Sequence, residues 1–251
     1  MERFKSENAG NVAKPDFSSL MEKPVFNIKK KINLPSIYSL PETHTAKRYC
    51  YDRRLPKNKL EELFYADDFA EFVKEIFPEY DKKLYNEPRL VIPFYDEKGD
   101  LLGFQGRAFI ASKVKYITIK LSDDNLKVFG LNKIDRAKRV YVVEGPIDAM
   151  FLENSLAMMD ASLYNVISSV GNLDYVFVFD NEPRNKDVCK HMQKTIVMGK
   201  NICIWPKHIT AKDINEMVLK GNSPAVIQSI IDSNTFSLLK AQLEFGSWSK
   251  T

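Results

Sequence analysis

Cysteine is scarce, with three in 251 residues. Cys50, Cys189 and Cys203 lie far apart and form no CxxC pair. That spacing offers neither a disulfide framework nor a zinc ribbon, so no zinc is expected in this chain. A reducing cytoplasm is the expected compartment. Histidine is as sparse, and His44, His191 and His208 are too scattered to suggest a ligand set. No apolar run approaches the ~18 residues that a membrane span needs. The opening MERFKSENAG has charge but no apolar core, so a secretory signal is not expected. Internal repeats and low-complexity tracts are missing too. What remains is 44% hydrophobic and 28% charged, an ordinary balance with room for one large or two small domains. The net charge of +4 says less than its local clustering.

Residues 1–40 read as a leader or linker: prolines, Lys29-Lys30-Lys31 and no sustained period. From 41 to 137 a basic subdomain of mixed α+β character is expected. Six basic residues fall between Lys47 and Lys59, among them Arg53 and Arg54, with Tyr49 and Tyr51 interleaved. Cations neutralise phosphates and tyrosines offer stacking faces, so the stretch suits a nucleic-acid strand. A solvated helix start would look the same. Helical patterns follow at Lys59–Tyr65 and Asp67–Phe77. Arg89–Tyr95 and Leu101–Ile110 read as strands joined by DEKGD, where Gly99 can take positive φ. Gly103 and Gly106 inside the second strand mark a close approach of something. Arg107 beside them, and Lys115 opening the strand KYITI, make a phosphate site plausible.

After Lys138 strands and helices alternate. Strand Val140–Val143 leads to an expected helix Ile147–Met159. Strand Tyr164–Ser168, strand Tyr175–Phe179, helix Arg184–Met198, strand Asn201–Trp205 and helix Asp213–Leu219 follow. Such alternation predicts a mostly parallel sheet flanked by helices over 138–223. Residues 224–251 read as a tail of one or two amphipathic helices. Parallel strands end on one edge, where open α/β sheets place their ligands. Glu144, the Asp180/Glu182 pair and Asp213 all lie just past strand ends. Taken singly, each is also an ordinary surface acid. Together, four carboxylates on one edge call for a cation, and oxygen ligands suit magnesium completed by waters and phosphates.

At these residues the chain resembles a known family. VYVVEGPIDAM, VISSVGN, VFVFDNE and AKDINEMV are similar to the Toprim domain of primases, topoisomerases and some nucleases. In the resemblance Glu144 matches the first-motif glutamate, with Gly145 and Asp148 in their expected places. Asp180 and Glu182 match the second acid pair, usually D-x-D, and Asp213 a further acidic position. Two departures are Glu182 in place of Asp and Pro183 where a small Gly often follows. Upstream, RLVIPFYDEKGDLLGFQGRAF, KYITI and FGLNKI resemble the core of DnaG-type primases, most of all those of large tailed phages. Arg107 and Lys115 match that family's basic face. The likeness spans roughly residues 45–250.

The resemblance implies a Toprim-like parallel sheet after a mixed α+β subdomain, and synthesis of short RNA primers on single-stranded DNA from ribonucleoside triphosphates. It implies Mg²⁺ or Mn²⁺ held by Glu144, Asp180, Glu182 and Asp213, with Glu144 either a ligand or the acceptor of the hydroxyl proton. Arg53, Arg54, Arg107 and Lys115 would meet nucleotide or DNA phosphates. A replicative helicase, and a separate zinc-ribbon protein in place of the missing ribbon, are the implied partners. Two other readings stay open: a Toprim nuclease using the same acids, and a module that only binds DNA or a helicase.

Overall fold

The computed structural model describes residues 30–109, 112–122, 127–159, 167–168 and 170–251. Two sheets organise it. The first is antiparallel throughout: β1 (Phe64–Ala66), β2 (Arg89–Tyr95), β3 (Leu101–Ala108) and β4 (Tyr116–Lys120), in that order. The β2–β3 turn forms as the sequence requires. Gly99 takes φ 81°, and the Asp96 carboxylate accepts from the Lys98 and Asp100 amides at 2.9 and 2.8 Å.

Helix α1 (Thr45–Asp52) precedes this sheet, and α2 (Phe69–Ile76) packs on one of its faces. Asp68 caps α2 by accepting from the Glu71 amide at 2.9 Å. Phe69, Phe72 and Val73 are buried against Val91 and Phe104. A Cβ on Gly106 would overlap the Phe69 ring, which is the close approach that the glycine permits. Arg89 is fully buried; it donates to the Gly106 and Val114 carbonyls at 2.8 and 2.7 Å and pairs with Glu87.

The second sheet comprises β5 (Val140–Val143), β6 (Ser155–Ala157), β7 (Tyr175–Val178), β8 (Asn201–Cys203) and β9 (Thr235–Phe236), ordered β6-β5-β7-β8-β9. The first four run parallel; β9 is antiparallel to β8. Around the sheet lie α3 (Pro146–Ala149), α4 (Lys186–Val197), α5 (Ile214–Leu219), α6 (Pro224–Ser233) and α7 (Leu238–Trp248). One apolar cluster joins both sheets, with Leu90, Ile92 and Phe94 of β2 in the same core as Val142 and Phe177.

Several sequence expectations are corrected. The helix expected over Ile147–Met159 is one turn, α3, after which the chain turns and enters β6. Asn154 takes φ 51°, and its side-chain Nδ2 donates to the Arg139 carbonyl at 2.7 Å. The Ser155 hydroxyl donates to the Ala149 carbonyl at 2.7 Å, closing the helix off. Lys59–Tyr65 is a 3₁₀ stretch, Lys57–Glu62, followed by β1. Of the strand expected at Tyr164–Ser168, residues 164–166 lie outside the described residues, and 167–168 are helical. Ile110, expected at the end of β3, is also outside them. The tail holds two helices and the short strand β9, which periodicity did not reveal.

Candidate active site

β5 and β7 are neighbours in parallel register, with Val143 opposite Val178. Their next residues therefore emerge side by side at one edge. There the Asp180 amide donates to the Glu144 carboxylate at 3.2 Å. Gly145 and Pro146 turn the chain into α3, and Asp148 stands in its first turn. The Asp148 carboxylate accepts from the Asn215 amide at 2.9 Å. Asp213 is the N-cap of α5, accepting from the Glu216 amide at 2.7 Å. Asn181 pins the loop that carries Asp213: its amide donates to the Lys212 carbonyl at 2.6 Å and its side chain to Ile209 and Ala211 at 2.9 and 3.0 Å. Trp248 of α7 donates in turn to the Asn181 side chain at 3.0 Å.

Glu144, Asp148, Asp180 and Asp213 share a cavity of about 540 Å³. Their crowding shows in their protonation. Burial, then Glu144, Asp148 and Asp213, push the Asp180 pKa up to about 8. Burial, then Asp213, raise that of Asp148 to about 7. Burial also raises Glu144, against the pull of the Asp180 amide and His191. Glu182 does not line this cavity; it pairs with Lys212 at 3.4 Å and accepts from Asn185 at 3.2 Å.

The first sheet supplies a basic wall. Lys115 and Tyr116 face the same cavity. Burial, then Arg107 and Arg53, lower the Lys115 pKa. Arg107 is buried between two rings, 5.7 Å from the Tyr49 centroid and 4.7 Å from that of Tyr116, and bonds the Tyr49 hydroxyl. Arg53 and Arg54 are engaged elsewhere. Arg53 donates to the Asn215 side chain at 2.7 Å, and Arg54 to the Val218 carbonyl at 2.9 Å, so both tie α1 to α5. Lys47 of the basic stretch is turned inward, donating to the Tyr38 and Leu40 carbonyls at 2.9 and 2.8 Å. Three functional candidates escaped the site selection from sequence: Asp148, His191 and Asn181. Asp148 had a signal, its place four residues after Glu144 in the EGPID motif.

Among the described residues no three His, Cys, Asp or Glu side chains are arranged to hold a metal ion as they stand. The donor set is nonetheless of the kind magnesium takes. That ion needs few protein oxygens and keeps waters and phosphates for the rest, and the raised carboxylate pKa values are the repulsion a cation would relieve.

No family model matches the chain. The DNA primase of Enterobacteria phage T4 is 35% identical over 230 residues, 88% of this chain and 67% of that protein. This chain belongs to the DNA primase family. Its fold is that of DnaG polymerase domains. The Aquifex aeolicus primase, comprising zinc binding and RNA polymerase domains, superposes with a TM-score of 0.57 at 18% identity. That match covers 83% of this chain and 64% of the other, so the chain spans somewhat less than two thirds of that relative. A DnaG primase catalytic domain bound to single-stranded DNA gives a TM-score of 0.58 at 16% identity, over 83% and 78% of the two chains. Among the described residues no helix is long and apolar enough to cross a membrane.

Proposed function

We propose that this chain carries the RNA-polymerising activity of a DNA primase, joining ribonucleoside triphosphates on a single-stranded DNA template. The observation that carries the reading is one cavity lined both by carboxylates just past β5 and β7 and by Lys115, the residue before β4. That pairing suits a triphosphate: the acids would hold Mg²⁺ or Mn²⁺, and Lys115 would meet the phosphate oxygens directly. Glu144, Asp148, Asp180 and Asp213 are the residues that would hold the cation. When bound, it supplies neutralisation of the phosphate charge. Glu182, paired with Lys212 at 3.4 Å off the cavity, is not among them.

The reaction forms a bond from the 3′-oxygen of one nucleotide to the α-phosphorus of the next, the hydroxyl proton passing to water. The bond from that phosphorus to the bridging oxygen breaks, and pyrophosphate leaves. Lys115 orients the triphosphate, while Arg107, clamped by Tyr49 and Tyr116, adds positive field behind it. A single-stranded DNA template is the partner this reading calls for; a relative of the same fold was solved bound to single-stranded DNA. A replicative helicase and a separate zinc-ribbon protein are the partners this reading calls for, and a host cytoplasm is its setting. The test is RNA synthesis by Glu144→Gln and Lys115→Ala. The first should abolish product with the fold intact; the second should raise the nucleotide KM about tenfold, the loss of one charge-assisted contact. Normal rates in both would remove the site assignment.

A further inference from the structure

We infer that His191 and Lys194 bind the 5′-triphosphate of the initiating ribonucleotide, on the cavity wall formed by α4. The inference rests on the primase reading and divides that site between its two substrates. Both residues are on α4, three apart, and therefore share one edge of the helix. Both line the cavity that holds Glu144 and Asp180. Neither the imidazole nor the ammonium has a hydrogen bond or ion pair among the described residues. His191 is steadied by the Phe179 ring, 6.3 Å away between centroids and tilted by 36°. Val188, Met192 and Ile196 bury the adjacent stripe of α4 and fix its rotation.

The chemistry asks for such a pair. Starting a chain from nucleotides alone requires two triphosphates at once. One loses pyrophosphate, and Lys115 on the cavity wall, with Arg107 buried behind it, is assigned to that one. The other contributes only its 3′-oxygen and keeps its three phosphates through the step. Those phosphates lie beyond the ribose from the reacting oxygen, and the acids at the cavity floor repel them. The Lys194 ammonium, with the His191 N–H as a second donor beside it, offsets that repulsion. Among the cavity residues on α4, His191 and Lys194 are the ones with donors to spare.

The test is the double variant His191→Gln/Lys194→Met, with Lys194→Arg as the conservative partner. Synthesis from nucleotides alone is compared with extension of a 5′-hydroxyl dinucleotide on the same template. Binding of single-stranded DNA is followed across a salt series. We expect the ratio of initiation to extension to fall about tenfold, with the loss recovered by higher concentrations of the initiating nucleotide and largely restored by Lys194→Arg alone. An equal fall in both arms, with a shallower salt dependence of DNA binding, would assign the pair to the nucleic-acid backbone and overturn the inference. Unchanged initiation would overturn it as well. Wild-type protein that makes no RNA in either arm would instead remove the primase reading beneath it.

Discussion

Replacing Asp180 by Asn should stabilise the metal-free protein, increasingly so as pH rises from about 4 to about 8. Asp180 moves from an ordinary 3.8 to about 8, through burial first and then through Glu144, Asp148 and Asp213. A raised carboxylate pKa means that the folded state binds the proton more tightly than the unfolded chain. The associated stability is fully present below about pH 4 and is lost as pH rises through about 8. At ~1.4 kcal/mol per pKa unit, four units set a ceiling near 6 kcal/mol. Water reaches the open cavity and screens part of this, so about 2 kcal/mol is expected from Asp180→Asn at pH 8.5, and near zero at pH 4. Urea unfolding in EDTA, followed by circular dichroism across that range, measures it. A variant no more stable than wild type at pH 8.5, or equally stabilised at pH 4, would refute the crowded-acid account. Adding Mg²⁺ should raise wild-type stability at pH 8.5 and raise that of the variant less.

Three further outcomes follow from the packing and the site. Asn215→Ala removes the acceptor of Arg53 and the donor to its carbonyl, so it should cost about 2 kcal/mol in denaturant unfolding. A loss under 0.5 kcal/mol would mean that α1 is held to α5 by other contacts. Gly106→Ala forces a methyl group into the buried Phe69 ring and should cost about 1–3 kcal/mol in thermal or chemical unfolding. A neutral substitution would show that α2 moves freely on its sheet. Glu182→Gln should reduce RNA synthesis less than Glu144→Gln, because Glu182 stands off the cavity against Lys212. Equal losses in single-turnover assays would place Glu182 at the reacting phosphate.

Sequence pattern reveals the strand ends well because it reports them twice. Short β-branched runs at Val140–Val143 and Tyr175–Phe179 end in an acid, and parallel strands carry their ends to one edge. Gly99 and the DEKGD turn are read from local chemistry alone. The misreading of Ile147–Met159 has a different origin. Its apolar residues satisfy a helix, and the break depends on Asn154 at φ 51° and on a bond from Ser155 back to Ala149. The first needs the residue that leads into β5, since the Asn154 side chain donates to the Arg139 carbonyl. Likewise the basic stretch from Lys47 reads as uniformly available charge. Burial of the Lys47 ammonium and the α1–α5 ties of Arg53 and Arg54 exist only after folding. His191 carries no local mark either, since its value comes from Phe179 and the cavity beside it.

The most direct measurement is product analysis after incubating the protein with single-stranded DNA, the four ribonucleoside triphosphates and Mg²⁺ or Mn²⁺. Short RNA complementary to the template, absent with EDTA or with Glu144→Gln, is the predicted result. Degraded DNA with no RNA, or RNA made equally well by the Glu144 variant, would contradict it.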